Sequence, residues 1–272
     1  MKSISLGQYY PSNSVIHRLD PRIKIILAIL YIVASFLCKN ILSFALLAFS
    51  AIFIILLGRI PLKIVLRGLR PIIIILAFTS IINIFWTKGE IPLVEWKFIN
   101  IYLEGIFSAI FIVVRITALI IGTSMFLTYT TTPIELTDAL EDLLSPLKVF
   151  RVPVHEFAMM MTIALRFIPT LVEETDRIMT AQKARGADFS SGGLVQRAKA
   201  LIPILIPLFV SAFNRAGDLA TAMECRCYIG GKGRTRMNVR HIRIVDFIPL
   251  VVMCAFGAAL IILNFLSIGF TM

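Results

Sequence analysis

The chain has 272 residues, of which 58% are hydrophobic and 16% are charged, and its mean hydropathy is +0.89. Soluble globular proteins are about 25% charged, so this composition excludes a water-soluble domain and a disordered chain and indicates a polytopic membrane protein. The net charge of +11 is typical of basic loops retained on one side of a membrane, and because no groove-reading motif stands near the basic residues we expect no nucleic-acid partner.

Hydrophobic runs predict about five transmembrane helices in an all-α fold, since about 20 apolar residues cross the hydrocarbon core of a bilayer. Only Lys39 and Asn40 separate the first two runs, which predicts a tight helical hairpin. The third run begins at Pro71, and proline is tolerated in the first turn of a helix. The predicted spans are 25–38, 41–58, 71–86, 101–127 and 247–270. The chain therefore divides into an N-terminal transmembrane region (1–127), a middle segment (128–246) and a C-terminal transmembrane region (247–272).

The basic residues predict the orientation of these spans. Fifteen of the 27 Lys and Arg residues lie in 128–246, and four more lie in the loop 59–70. Because basic loops stay in the cytoplasm, we expect the N-terminus and residues 128–246 to be cytoplasmic and the C-terminus to be outside. The expected location is the cell membrane, with the lipid bilayer as a partner.

The segment 128–246 predicts a module of amphipathic helices, because its apolar residues recur on one face at a spacing of 3.6. One helix follows Thr132-Pro133, and further helices are expected between prolines. The prolines that interrupt the pattern are Pro146, Pro169, Pro203 and Pro207. We favour helices at the membrane surface, because the runs 153–170 and 201–213 are short and broken by proline, but the alternative that one of them enters the membrane stays open.

These helices are too apolar for water, which predicts a membrane or protein partner. Three consecutive methionines supply a soft surface that can repack against different partners, although ordinary core packing is the alternative. The residues expected at this surface are Met159, Met160, Met161, Leu201, Ile202, Ile204 and Leu205.

The chemistry of carriers and enzymes is missing from the sequence. The fourth predicted span contains Arg115, and Glu104 lies near the end of that span. An ion-coupled carrier, in contrast, needs ionisable groups across the membrane. No hydrolase or metalloenzyme motif is present, and Cys225 and Cys227 lack the further ligands that a metal site requires. Residues 230–233, Gly-Gly-Lys-Gly, lack the first glycine and the final Ser or Thr of a phosphate-binding loop. We therefore expect neither enzymatic activity nor a cofactor or metal in this chain.

Two predicted helices end alike, with an arginine between small residues: Ala184-Arg185-Gly186 and Cys225-Arg226-Cys227. An arginine at a helix end can enter a pocket of a partner, and such anchors contribute about 2 kcal/mol or more to binding. The pair indicates two equivalent pockets on two similar partners. The alternative, that each arginine caps the carbonyls of its own helix, stays open.

Three stretches resemble the transmembrane coupling proteins of energy-coupling factor (ECF) transporters. The first is His17-Arg18-Leu19-Asp20-Pro21-Arg22-Ile23-Lys24, before the first span. The second runs from Leu165-Arg166-Phe167-Ile168-Pro169 through Glu174 to Ala184-Arg185-Gly186, and the third is Ala222-Met223-Glu224-Cys225-Arg226-Cys227-Tyr228, where cysteines replace the usual Ala and Gly. The motif residues expected to have structural roles are His17, Asp20, Pro21, Arg22, Arg166, Pro169 and Glu174.

This resemblance implies the coupling subunit of an ABC-type importer of vitamins or other micronutrients. Such a subunit joins two cytoplasmic ATPases, which hold ATP and Mg²⁺, to a membrane-embedded substrate-binding subunit called the S-component. Arg185 and Arg226, with the small residues beside them, would each dock in a groove of one ATPase, and the apolar helices would carry the S-component. Two alternatives stay open, a self-sufficient membrane carrier and a dedicated cobalt, nickel or biotin importer subunit, and the sequence does not specify the substrate.

Overall fold

The computed structural model describes residues 9–87, 92–96, 99–187, 189, 193–231 and 243–265. The helices of this part are α1 (Pro21–Phe36), α2 (Ile41–Gly58), α3 (Leu62–Trp86), α4 (Leu103–Thr123), α5 (Pro133–Leu143), α6 (Val154–Ala184), α7 (Leu194–Cys225) and α8 (Ile248–Phe265). A π-helical turn, Ser124–Tyr129, continues α4, and two 3₁₀ turns, Ser145–Phe150 and Ile244–Phe247, precede α6 and α8. The strands β1 (Pro92–Trp96) and β2 (Ile99–Tyr102) form an antiparallel pair.

The described residues fall into two units. The membrane unit takes its residues from Gly7–Leu136 and Arg240–Met272 and contains α1 to α4 and α8. The coupling unit takes its residues from Thr137–Val239 and contains α6 and α7. The helix α5 begins in the first unit and ends in the second.

Five stretches of the described chain are long and apolar enough to cross a membrane, which confirms an all-α polytopic membrane protein apart from one short strand pair. They are Ile41–Gly58, Leu62–Trp86, Leu103–Tyr129, Ala198–Cys225 and Ile244–Phe265. Four correspond to predicted spans. The predicted first span is not among them, because α1 has 16 residues and is roughly 24 Å long at 1.5 Å per residue. Most of α7 is instead long and apolar enough to cross a membrane. A position of residues 201–213 at the membrane surface therefore stays a prediction.

Polar side chains of other helices cap the C-terminal end of the short helix α1. Arg115 of α4 donates from Nη2 to the carbonyl oxygen of Cys38 at 2.9 Å. The side chain of Asn264 on α8 donates to the carbonyl oxygen of Leu37, and its Oδ1 accepts from the Lys39 backbone N–H at 3.3 Å. The intramembrane arginine therefore satisfies a backbone acceptor that the helix end leaves unpaired.

Tight packing holds α1, α2 and α4 together in the membrane unit. The Tyr31 ring is fully buried, and a Cβ on Gly122 of α4 would overlap it, so glycine permits the close approach of the two helices. The rings of Phe44 on α2 and Phe111 on α4 stack with their centroids 4.5 Å apart.

Proline positions were interpreted wrongly as helix boundaries in three places. The helix α3 begins at Leu62, so Pro71 lies in its interior and not in its first turn. Pro169 lies inside the continuous helix α6, and α7 continues past both of its prolines. A proline removes one backbone hydrogen bond, but the helix continues where the flanking turns stay bonded and its apolar face continues. At Pro146 the prediction is confirmed, because α5 ends at Leu143.

Candidate functional site: two matched helix ends

The helix α6 ends in a Schellman motif built around Arg185. The Gly186 N–H donates to the Lys183 carbonyl at 3.0 Å, and the Ala187 N–H donates to the Gln182 carbonyl at 3.0 Å. Gly186 adopts a left-handed conformation with φ of +86°, which glycine accepts without steric cost. Arg185 thus occupies the C-cap position, just before the chain reverses.

The helix α7 ends in the same motif around Arg226, although cysteines replace the usual neighbours. The Cys227 N–H donates to the Glu224 carbonyl at 2.8 Å, and the Tyr228 N–H donates to the Met223 carbonyl at 3.0 Å. Cys227 takes the left-handed position with φ of +54°, where α6 has glycine. A β-carbon is disfavoured there by roughly 1–2 kcal/mol, so the motif is kept at some energetic cost.

The six residues of the two ends, Ala184, Arg185, Gly186, Cys225, Arg226 and Cys227, are all exposed. Neither guanidinium group forms a hydrogen bond or ion pair with another described residue, and the capping bonds come from backbone N–H groups. The carbonyls of each helix end are thus satisfied without the arginine side chains, which disfavours the capping alternative. Within the described ranges, both side chains are exposed and without a bonded partner.

One ion pair joins the two helices at matching positions. Nη2 of Arg215 on α7 lies 3.0 Å from Oε2 of Glu174 on α6, and both side chains are partly exposed. Glu174 precedes Arg185 by eleven residues, and Arg215 precedes Arg226 by eleven residues. Eleven residues make about three helical turns, or roughly 16 Å. The two arginine-bearing ends are therefore equally far, along their own helices, from this ion pair.

The apolar residues predicted for a partner surface lie on the other side of this ion pair along the chain. Met160 and Met161 precede Glu174 on α6 and are exposed, whereas Met159 is half-buried. On α7 the residues that precede Arg215 and are exposed are Leu201, Ile202 and Leu205. Ile204 differs from these neighbours in being only 4% exposed, and its place in a partner surface stays a prediction.

The motif before α1 builds a hydrogen-bonded loop. Asp20 is buried, and its Oδ1 accepts from the Arg22 N–H at 2.9 Å, which makes Asp20 the N-cap of α1 with Pro21 in the first turn. The ring of His17 bridges the Ser14 hydroxyl oxygen at 2.7 Å and the Tyr10 carbonyl at 2.8 Å. These hydrogen bonds hold the entry to α1, and a wider role for the motif stays a prediction.

Lys24 is a buried anchor that sequence reasoning did not single out. Lys24 is only 1% exposed, and its Nζ donates to the Thr130 carbonyl at 2.7 Å. The backbone of Tyr10 also donates to the Tyr129 carbonyl at 3.0 Å. The start of α1 is therefore fixed to the end of the π-helical turn, just before α5. The signal in the sequence was a lysine between two isoleucines at the start of an apolar run, because a buried charge requires a partner.

Other charged side chains of α6 and α7 lie at the surface. Arg166 is exposed on α6 and forms no ion pair with a described residue, and Glu173 and Asp218 are exposed as well. A pair that was not predicted joins His155 Nδ1 to Glu141 Oε1 at 3.0 Å. Among the described ranges, no group of three or more His, Cys, Asp or Glu side chains is placed to hold a metal ion.

The apolar helices and the linked pair α6 and α7 define a multi-pass membrane protein with a separate helical module. The cobalt transport protein family, CbiQ, matches residues 12–237, and the chain belongs to this family. The energy-coupling factor transporter transmembrane protein EcfT of Ruminiclostridium cellulolyticum is 53% identical over 251 residues, which cover 92% of each chain.

Two further relatives carry the same name. The protein of Clostridium kluyveri is 51% identical over 93% of this chain and 96% of its own, and that of Bacillus subtilis is 50% identical over 87% and 89%. The chain is thus similar over nearly its whole length to transmembrane components of ECF transporters, which confirms the resemblance drawn from its three motifs.

Proposed function

We propose that the chain is the coupling subunit of an ECF-type importer of vitamins or other micronutrients. In this proposal Arg185 and Arg226 each dock in one of two cytoplasmic ATPases, and the apolar parts of α6 and α7 carry a membrane-embedded S-component. The observation that carries the proposal is the pair of helix ends with the same capping motif, each with an exposed and unpaired arginine among the described residues.

The geometry supports a lever mechanism. Each helix has an arginine on one side of the Glu174–Arg215 pair and apolar residues on the other side. When ATP binding changes the distance between the two pockets, the arginine ends move apart or together, and rigid helices turn about the point where they are joined. The apolar ends then move as well, which is a shear of packed helices between two arrangements.

The chemistry in this proposal belongs to the partners. The ATPases hold ATP and Mg²⁺, and the S-component binds the substrate, so this chain has no catalytic residue. The basic segment of the coupling unit and the positive-inside rule support a cytoplasmic position for the arginine ends and for the N-terminus. The C-terminus is then outside.

The self-sufficient carrier is the competing hypothesis. A carrier coupled to ions requires ionisable side chains that face a transport path. Arg115 instead donates to a backbone carbonyl at the end of α1, and Lys24 donates to another at the end of the π-helical turn. Both cations thus have backbone carbonyls as partners, which favours the coupling subunit.

Two experiments test the proposal together. The tagged chain is purified from its native membrane, and we expect two ATPase subunits and at least one small membrane protein to accompany it. The chain alone is then reconstituted in liposomes and assayed for solute uptake. Uptake by the chain alone, without ATPases, contradicts the proposal and supports a carrier.

A further inference from the structure

A cleft in the membrane unit joins a basic end to an apolar slot, and we propose that it binds an anionic phospholipid. Two adjoining cavities form the cleft, and they share Val15, Phe53 and Leu57 as lining residues. The first has a volume of about 510 Å³ and contains Arg18 and Arg59, and the second has about 340 Å³. The phosphate of the lipid would lie at the arginines and an acyl chain in the slot.

The slot has the chemistry of an acyl-chain site. Hydrophobic side chains of α1, α2, α4's π-helical turn and α8 line it, and Ser50 and the Tyr31 hydroxyl are the polar groups in its lining. Both groups are already bonded within the protein, since Ser50 Oγ donates to the Leu47 carbonyl at 2.7 Å and lies 3.3 Å from the Tyr31 hydroxyl, from which it accepts. A slot whose polar groups are already paired accepts hydrocarbon without leaving a donor or acceptor unsatisfied.

The basic end has the charge to select an anionic head group. Arg18 and Arg59 are exposed, and no described lining residue of either cavity is acidic. Neither arginine forms an ion pair with a described residue, whereas the neighbouring carboxylate of Asp20 is buried and bonded to the Arg22 N–H. Basic pockets between membrane helices are the sites where anionic lipid head groups bind.

The loop that carries Arg18 is fixed before any lipid arrives. The Ser12 hydroxyl donates to the Gly58 carbonyl at 3.3 Å, which joins the loop to the last residue of α2. His17 holds the same loop through Ser14 and Tyr10. Arg59 directly follows Gly58, so the two guanidinium groups extend from anchored backbone, and little ordering is needed on binding.

The test places a fluorescent reporter in the cleft of the full-length chain. Phe53→Trp is made in a background where Trp86→Phe and Trp96→Phe remove the other two tryptophans, and the protein is placed in nanodiscs of mixed composition. Brominated phosphatidylglycerol or brominated phosphatidylcholine then quenches the reporter. A matched reporter, Ile74→Trp, replaces a residue of α3 that is 76% exposed.

We expect the reporter at 53 to prefer phosphatidylglycerol at least fivefold in relative affinity, since one basic residue near an anionic lipid is worth about fivefold. The reporter at 74 should show no preference beyond the bulk mixture. Arg18→Gln with Arg59→Gln should remove the preference, while Arg67→Gln with Arg70→Gln, which removes the same charge from α3, should retain it. Val252→Phe, which fills the slot, should reduce quenching by both lipids at 53.

Three results would overturn the proposal. Equal quenching by the two lipids at position 53 means that the cleft does not select a head group. An equal loss of preference in both arginine pairs means that general surface charge is responsible. Quenching at 53 far below that at 74 with either lipid means that protein, and not lipid, fills the cleft.

Discussion

Glu174 and Arg215 form an ion pair of 3.0 Å that lies eleven residues before the terminal arginine of each helix. The two arms from this pair to Arg185 and Arg226 are therefore equal in length, about three turns each. If the helices pivot about this pair, as the proposed lever requires, equal displacements of the two arginines turn both helices by the same amount. The pair is the natural point to test whether the helices work as one lever.

Reversing the ion pair tests that mechanical role. We expect Glu174→Arg or Arg215→Glu alone to lower ATP-driven uptake severalfold, because like charges then face each other where the helices meet. The double exchange should recover most of the uptake. The stability effect should be small, about 0.2–1 kcal/mol, because both side chains are partly exposed. Single variants with normal uptake would exclude the pair from the mechanism.

Removing the two terminal arginines tests the docking hypothesis. We expect Arg185→Ala with Arg226→Ala to release the ATPases, since each buried arginine anchor is worth about 2 kcal/mol or more. The measurement is the amount of ATPase that is purified with the tagged chain, together with uptake. Arg67→Ala with Arg70→Ala is the control, as both arginines are exposed on α3 and belong to neither of the two helices that end in Arg185 and Arg226. Normal assembly and transport by the test variant would make the docking assignment wrong.

Cys227→Gly tests the left-handed helix end. We expect it to stabilise the end of α7 by about 1 kcal/mol, because glycine accepts the φ of +54° without the β-carbon penalty. Hydrogen exchange of the last turn of α7 measures the effect. Cys225→Gly is the control with the opposite sign, since residue 225 is still helical and glycine has a lower helix propensity than cysteine by roughly 0.3 kcal/mol. The same sign for both variants would contradict the proposed cause.

Lys24→Met tests the buried anchor at the start of α1. The substitution retains the apolar stem but leaves the Thr130 carbonyl without its 2.7 Å donor. We expect a loss of about 1–3 kcal/mol in unfolding free energy, read as a lower midpoint of thermal unfolding in detergent. Lys63→Met, at an exposed lysine of α3, should leave the midpoint unchanged. An equal effect of both substitutions would attribute the loss to charge and not to the hydrogen bond.

Replacing the methionine triplet tests the adaptable surface. Met160 and Met161 are exposed, and leucine keeps their volume while removing the flexible thioether. We expect the substitution of residues 159–161 by leucine to impair uptake with some S-components several times more than with others. The measurement is uptake with each S-component expressed in turn. An equal effect of the substitution on uptake with every S-component would contradict the hypothesis of an adaptable methionine surface.

Several features follow from the sequence because they depend on local or average properties. Hydrophobic runs determine four of the apolar spans, and the glycine after Arg185 identifies the end of α6. The boundaries at Pro71 and Pro169 were wrong because a proline costs one hydrogen bond, and only the surrounding structure decides whether the helix continues. The burial of Ile204 was missed because the sequence of an amphipathic helix does not show which of its apolar residues other parts of the protein cover.

The amino-acid sequence by itself determined that this is a membrane protein, placed its apolar helices and marked the two arginines, since hydropathy and motif spacing are written along the chain. Only the tertiary structure decided that α6 and α7 are joined midway between their arginine ends and apolar residues, that Cys227 keeps a glycine-like backbone, and that Arg115 and Lys24 bind carbonyls. These features depend on contacts between residues, or on backbone conformations, that a local sequence pattern does not specify.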